Sequence, residues 1–318
     1  MSADDATASL RQAVAPIDER LQGLDWYPVA KKEFADTIRS RALVILSVIF
    51  AVLFVVPPIV AFYTDFGSAR SVSAVLIAGR LRIMSVVVPI AAIALGYAAV
   101  SGERESGSMK LLLSLPYERL DVVIGKFVGR SAVLLVPLLG ALLLQYAVVI
   151  PELASAEANV QAESLLAFIA LTMLLGVVFV GAAVGISAGT STTRRSLAVI
   201  GGLWIYFFAL WNSAARGTGS LLREYTDVES LTTIKAELVV KLLNPTQAYQ
   251  TLVQSLSGNA EHAARAQMFG GLRSQVVAQE LQGSVPFYLS DGAAVAVLLF
   301  WMLAPLYLGY QVFERSDL

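Results

Sequence analysis

The chain has 318 residues, of which 57% are hydrophobic and only 15% are charged, with a formal net charge of −1 and no cysteine. Soluble domains average about 25% charged residues, so this composition excludes an ordinary soluble enzyme and indicates an integral membrane protein. The lack of cysteine excludes disulfides, thiolate metal sites and cysteine nucleophiles. The nearly neutral charge gives no indication of a nucleic-acid partner.

The N-terminal region, residues 1–41, is predicted to be a cytoplasmic extension that ends in an amphipathic helix over Trp26–Arg41. In this helix Ala30, Phe34 and Ile38 recur every four residues, so they share one face. Such a helix is predicted to lie in the membrane interface with its apolar face in lipid. The alternative is a simple extension of the first span into the cytosol.

The remaining residues, 42–318, read as one membrane domain. A membrane-spanning helix needs about 20 predominantly apolar residues. Six segments come close to or exceed that length, namely Ala42–Tyr63, Ile83–Val100, Phe127–Ile150, Leu165–Ala188, Leu197–Ala214 and Gly292–Tyr310. The predicted fold class is therefore all-α integral membrane, with six transmembrane helices in the lipid bilayer.

The basic residues predict the orientation, because short cytoplasmic flanks are enriched in Lys and Arg. Basic residues cluster before the first span, between spans 2 and 3, between spans 4 and 5, and in the tail. The loop Pro151–Ser164 has none, whereas the loop Thr64–Arg82 carries three arginines and opposes the assignment. The balance predicts a plasma-membrane protein with both termini in the cytoplasm.

The segment 101–126, between spans 2 and 3, is rich in charge and must leave the bilayer, because ionised side chains are costly there. Inside it, Met109–Leu115 is predicted to form a short helix that ends at Pro116, since proline disfavours helical geometry at the preceding residue. Leu112 and Leu113 would be apolar side chains in a charged cytoplasmic segment. They need a protein surface to cover them.

The segment contains, in order, Glu103-Arg-Glu105, Gly107, a leucine run, Pro116, Arg119 and Lys126. This order resembles the cytoplasmic signature of the ABC-2 family of transporter permeases, and within that family the branch that includes the permease of nitrous-oxide-reductase maturation. The resemblance implies a coupling helix that docks on a separate ABC ATPase subunit, with the interface helix contributing to the contact. It assigns the coupling role to Glu103, Glu105, Gly107, Met109, Leu112, Leu113, Pro116, Arg119 and Lys126. The alternative is an ordinary charged loop with a short interfacial helix.

The resemblance also implies a second permease subunit, in a homodimer or a heterodimer, and export rather than import. The sequence contains no GxxxxGK[ST] loop, so ATP is expected on the partner, and no cofactor is expected on this chain. Alternatives from other classes are an ion-coupled carrier or channel, and a non-transporting membrane anchor or sensor subunit. A carrier that depends on a membrane carboxylate is disfavoured, since the six spans contain no Asp or Glu. The sequence does not name the substrate.

We expect the two glutamates of the acidic pair, Glu103 and Glu105, to have different roles. One glutamate is expected to pair with Lys126 or Arg130 after the chain turns back at Pro116. The other is expected to favour the N-terminus of the short helix, where negative charge is stabilised by about 0.3–1 kcal/mol. The alternative is two solvated charges that end a span.

The segment 216–290 is too long to be a simple loop. It contains apolar repeats at helical spacing on both sides of Asn244-Pro245, and a more polar piece, Ala260–Gln282, that is interrupted by Gly270-Gly271. We predict an outer-face subdomain or membrane-lying cap of about three helices. A lid with no substrate role is equally compatible with this pattern.

The fourth span places Gly181, Gly185 and Gly189 at four-residue spacing, which lets a neighbouring helix approach closely. Packing within one protomer is preferred over a dimer face. No catalytic set or metal site is predicted, because His262 is the lone histidine and the six methionines are scattered. The chain is thus predicted to be a transport subunit and not an enzyme.

The predicted topology can be tested with single cysteines, since the chain has none of its own. A cysteine at Ser274 should react with a membrane-impermeant thiol reagent in intact cells. A cysteine at Ser106 should react only after the cells are opened. The reverse pattern would contradict the predicted orientation.

Overall fold

The computed structural model describes residues 21–38, 40–63, 72–155, 162–225, 229–256, 261–281 and 285–316, and every regular element in these residues is helical. In chain order the helices are α1 (Tyr27–Ile38), α2 (Arg41–Tyr63), α3 (Val72–Gly96), α4 (Ser101–Glu105), α5 (Ser108–Leu112), α6 (Arg119–Ser155), α7 (Ala162–Gly189), α8 (Thr193–Ile205), α9 (Trp211–Tyr225), α10 (Ser230–Leu242), α11 (Pro245–Leu256), α12 (Glu261–Gln267), α13 (Gly271–Glu280) and α14 (Asp291–Glu314). A π-helical turn, Tyr206–Leu210, joins α8 to α9, and a 3₁₀ turn, Phe287–Leu289, precedes α14.

Five stretches of the described residues are long and apolar enough to cross a membrane, which confirms the all-α membrane class. They are Leu81–Glu105, Arg119–Val148, Ala162–Gly189, Thr193–Tyr225 and Asp291–Glu314. The first predicted span coincides with α2, whose qualifying apolar stretch is the shorter Leu43–Pro57. The number six therefore stays a prediction.

Part of the predicted outer loop between spans 1 and 2 is helical. The helix α3 begins at Val72, well before the predicted start of the second span at Ile83. The predicted span began at Ile83, where the continuous apolar run begins, but the helix itself extends further because its internal proline, Pro89, lies beyond this stretch.

The helix α1 packs on α6. Val29 and Glu33 of α1 are buried, and they lie over Gly125 and Gly129 of α6. A Cβ atom added at Gly125 would lie 2.6 Å from the Cβ of Val29, and one added at Gly129 would lie 2.7 Å from the Cβ of Glu33. The two glycines therefore allow a contact that any larger side chain would block.

This contact corrects the prediction that the apolar face of α1 lies in lipid. Ala30 is 5% exposed, and its backbone lies against Gly129. Phe34 is half-buried, while the side chain of Ile38 lies outside the described residues. Protein therefore covers the Ala30 end of this face, because the glycines of α6 bring the two backbones together, while contact of Phe34 and Ile38 with lipid stays a prediction. A bend at Ser40 separates α1 from α2, so α1 is not a simple extension of the first span.

The three glycines of the fourth span pack against α14 within the same chain. A Cβ atom added at Gly185 would lie 2.3 Å from the backbone of Pro305, and one added at Gly309 would lie 1.8 Å from the carbonyl oxygen of Gly185. Gly181 faces Met302 in the same way. The crossing of α7 and α14 therefore brings two backbones into direct contact, as small residues allow in membranes.

The helices α10 and α11 form a hairpin that packs alongside the spans instead of covering their ends. The Tyr249 hydroxyl is 2.8 Å from that of Thr172 in α7, and the Asn244 amide donates to the carbonyl oxygen of Phe207 at 2.9 Å. Thr172 lies about 15 Å along α7 from the first residue of that helix, at 1.5 Å per residue, and Phe207 lies in the π-helical turn. These contacts place α11 beside the spans, and the location of 216–290 on the outer face stays a prediction.

The sequence explains the hairpin's turn. Asn244 accepts a hydrogen bond from the backbone of Thr246 at 2.9 Å, and Pro245 is the first residue of α11. Asn before a helix and Pro at its first position are both favourable for starting a helix. The apolar residues of α11 are then buried between the spans: Ala248, Tyr249, Leu252 and Val253.

The backbone contact between α7 and α14 predicts that Gly309→Ala destabilises the protein by about 1–3 kcal/mol or more, because the added methyl group has no space. The matched control is Gly140→Ala in α6, where an added Cβ meets nothing within 4 Å. Thermal unfolding in detergent should show a clear loss for Gly309→Ala and little change for the control. Equal stability of the two variants would contradict the contact.

Candidate functional site

The short helix α5 is set at an angle to α4 by Gly107. This residue has φ 76° and is therefore in the left-handed region, which glycine adopts without the steric cost that a side chain brings. The helix covers Ser108–Leu112 and is followed by a turn before Pro116, so it is shorter than the predicted Met109–Leu115.

The two faces of α5 differ in exposure. Met109 is 1% exposed and joins the core, and Leu112 and Leu113 are half-buried against it. By contrast, Leu111 is 74% exposed and Leu115 is 51% exposed. The prediction that Leu112 and Leu113 are the bare leucines is therefore wrong, because residues at i, i+3 and i+4 from the anchored Met109 share its face.

Lys126 lies at the centre of a buried ion network. Its side chain is 1% exposed, and its ammonium group is 2.6 Å from Glu33 and 2.7 Å from Glu103. Arg130 is 2.7 Å from the other carboxylate oxygen of Glu33. The sequence left open which glutamate of the acidic pair binds Lys126 or Arg130, and the structure pairs Glu103 with Lys126. The network joins α1, α4 and α6.

The environment of Glu33 favours its ionised form. Burial alone would raise the pKa of this carboxyl, but the charges of Lys126 and Arg130 and the hydrogen bond from Lys126 outweigh burial and hold the pKa below its usual range. The ionised Glu33 therefore contributes to stability at pH values above the pKa that this carboxyl has in the unfolded chain. The contribution is lost as the pH falls through the lowered pKa of the folded chain.

Glu105 does not favour the N-terminus of α5. Its carboxylate accepts hydrogen bonds from the backbone N–H of Thr193 at 3.0 Å and from the Thr193 hydroxyl at 2.6 Å. Thr193 is the first residue of α8. The turn at Gly107 takes the chain away from Glu105, so the carboxylate stabilises the start of α8, where the helix dipole favours negative charge.

Two arginines of the segment hold the ends of two spans. Arg104 donates to the carbonyl oxygens of Ala188 and Thr190, at 3.4 and 3.3 Å, at the end of α7. Arg119 donates to three carbonyl oxygens at the end of α14, those of Phe313, Glu314 and Ser316. Both guanidinium groups also lie over the buried ring of Phe313, at 5.8 and 5.3 Å. Cations at helix C-termini satisfy carbonyls that have no partner within the helix.

The structure thus brings together most of the predicted coupling residues at one end of the molecule, with distinct physical roles. Lys126 and Met109 are buried, and the guanidinium group of Arg119 donates hydrogen bonds to backbone carbonyl oxygens. These residues therefore hold the segment in place. Sequence analysis did not identify Glu33 or Arg104. A glutamate among the apolar residues of one helix face was the only available signal for Glu33.

The ion network predicts that Glu33→Gln lowers the free energy of unfolding by about 1.5–3 kcal/mol at pH 7, the contribution of a hydrogen bond to a charged group. The difference from the unaltered chain should shrink as the pH falls below about 4.3, the usual carboxyl pKa. Thermal unfolding in detergent at several pH values measures both effects. Asp36→Asn, an exposed position on the same helix, is the control, and an equal loss in both variants would contradict a specific role for Glu33.

Sequence comparison relates the chain to known transporter proteins. A model of the ABC-2 family transporter protein matches residues 27–318. A probable ABC transporter permease protein NosY from Pseudomonas aeruginosa is 29% identical over 299 residues, which cover 92% of this chain and 98% of that protein. The protein of the same name from Stutzerimonas stutzeri is 28% identical over 294 residues, which cover 90% and 97%. The chain therefore belongs to the ABC-2 family of transporter proteins.

Proposed function

We propose that this chain is the permease subunit of an ATP-driven exporter and that the end formed by residues 101–126 docks on a separate ABC ATPase subunit. The observation that carries the proposal is the exposure of Leu111, on a short helix whose opposite face is anchored by Met109, and of Leu115, in the turn that follows this helix. The names of the two relatives support a permease, and the family resemblance supports an ATPase partner.

The exposed leucines supply the energy for docking. Burying one leucine side chain is worth about 1.5–3 kcal/mol, so the pair can contribute several kcal/mol to a protein contact. Lipid does not cover them in the proposed orientation, because charged residues on both sides keep the segment out of the bilayer. The anchored face keeps α5 from reorienting when the partner binds.

The contacts of the segment offer a route for transmitting movement. A displacement of α5 would act through Arg119 on α14 and through Arg104 on α7, and these two helices are in backbone contact. It would act on α1 and α6 through Lys126. Because packed interfaces shift between discrete arrangements and do not deform continuously, ATP-driven closure of the ATPase would switch the membrane domain between two states.

The complete assembly in this proposal contains two permease subunits and two ATPases in the plasma membrane. With α2 as a span in addition to the five long apolar stretches, the domain has six spans. Both termini are cytoplasmic. The hairpin α10–α11 belongs to the outer half of the domain. Export is proposed because the family that the chain resembles is mostly of the export type.

The docking proposal predicts that Leu111→Asp and Leu115→Asp each weaken binding of the ATPase subunit by about tenfold or more and reduce its stimulation, because each loses about 1.5–3 kcal/mol of burial. Co-purification and ATP hydrolysis in nanodiscs measure these effects. Leu221→Asp is the matched control, since Leu221 is 56% exposed on α9. Normal binding by both variants, with the control unchanged, would contradict docking through α5.

A further inference from the structure

A cleft lies beside α5, between the segment that leads into α6 and the last turns of α14. It has a volume of about 660 Å³ and is lined by Leu113, Tyr117, Glu118, Arg119, Leu120, Tyr310 and Glu314. Leu113, which lines the cleft, and the exposed Leu115 are two residues apart in the chain. The cleft therefore lies next to the exposed leucines, at the end of the molecule that is proposed to dock the ATPase.

Two carboxylates, those of Glu118 and Glu314, line the cleft. Glu314 accepts a hydrogen bond from the Tyr310 hydroxyl at 2.9 Å, and the Glu118 carboxylate lies within electrostatic reach of the same hydroxyl. Both glutamates are exposed. Asp121 adds a third negative charge beside them, where it accepts from the backbone N–H of Glu118 at 3.0 Å.

The one cation that lines the cleft is already engaged. Arg119 directs its guanidinium toward the carbonyl oxygens of Phe313, Glu314 and Ser316 and toward the ring of Phe313. It therefore balances the negative end of α14, and neither glutamate of the cleft has an ion pair with it within 4 Å in the described residues. The cleft as a whole is left with an excess of negative charge.

We propose that this cleft receives a long cationic side chain, an arginine or a lysine, from the ATPase subunit. The chemistry fits in two respects. Glu118 and Glu314 would pair with the cationic group, while the aliphatic stem would lie along Leu113 and Leu120, as such stems do on apolar surfaces. The rings of Tyr117 and Tyr310 would add cation–π attraction. This inference rests on the proposed function and extends its docking surface from α5 to the last span.

The inserted side chain would bind both sides of the cleft at once. Glu118 belongs to the segment that follows α5, and Glu314 is the last residue of α14. The ATPase would then hold the last span directly, in addition to acting on it through Arg119. The contact would be strongest at low ionic strength, because the glutamates are exposed and salt screens such charges.

The test uses the double variant Glu118→Gln/Glu314→Gln, which keeps the shape of both side chains. The full chain is reconstituted in zwitterionic nanodiscs, and binding of the ATPase subunit is measured by biolayer interferometry at 50 and 300 mM KCl. We expect about tenfold weaker binding at the lower salt, from the loss of two ion pairs, and a smaller difference at the higher salt. Glu224→Gln, an exposed glutamate on α9, is the control and should bind normally.

The outcomes distinguish failure of the cleft proposal from failure of the proposed function. If the unaltered chain binds the ATPase and the double variant binds equally well at both salts, the cleft proposal is wrong and docking through α5 stands. A loss that is the same at both salts would also overturn it, since a charge contact must be screened. If the unaltered chain does not bind the ATPase, the proposed function fails. If the double variant instead alters self-association without the ATPase, a second copy of this chain occupies the cleft, and the proposal is overturned.

Discussion

The arrangement of the candidate site depends on one buried ammonium group, that of Lys126. Taking a charge out of water costs several kcal/mol unless partners compensate for the lost hydration. Here the carboxylates of Glu33 and Glu103 do so at 2.6 and 2.7 Å. They come from α1 and α4, while Lys126 is on α6, so none of the three elements can move away without leaving a buried charge unpaired. The N-terminal helix is thereby a fixed part of the membrane domain and not a loosely attached extension.

A second set of contacts attaches the segment 101–126 to α7 and α14. Arg104 and Arg119 hold the C-terminal ends of α7 and α14, and both lie over the ring of Phe313. The same two helices meet at Gly185 and Gly309 with no side chain between them. The segment that exposes its leucines is consequently attached to four long or medium helices through charges and backbone carbonyls. A partner that binds the exposed face would act on the spans without an intervening flexible loop.

Part of this account could be predicted from the sequence, because it depends on properties local to the chain. The length of the apolar segments predicted the membrane helices. The charged residues of 101–126, with its glycines and Pro116, predicted a segment that leaves the bilayer. A turn that brings nearby residues together also predicted an ion pair between one glutamate of the acidic pair and Lys126 or Arg130, without naming which, and Glu103 with Lys126 is such a pair. Contacts between distant parts of the chain could not be predicted in this way. Glu33 pairs across 93 positions with Lys126, and the fit of α1 on Gly129 depends on which helix arrives there. A periodic apolar face indicates burial but does not distinguish lipid from protein as the cover.

The central claim is that the end of the molecule containing 101–126 binds the ATPase subunit. Hydrogen–deuterium exchange of the full chain in nanodiscs, with and without the ATPase and a non-hydrolysable ATP analogue, tests this most directly. The account predicts slower exchange in peptides that cover 101–118 when the ATPase is present, with little change in the hairpin 230–256. Protection confined to the hairpin, with 101–118 unchanged, would contradict it.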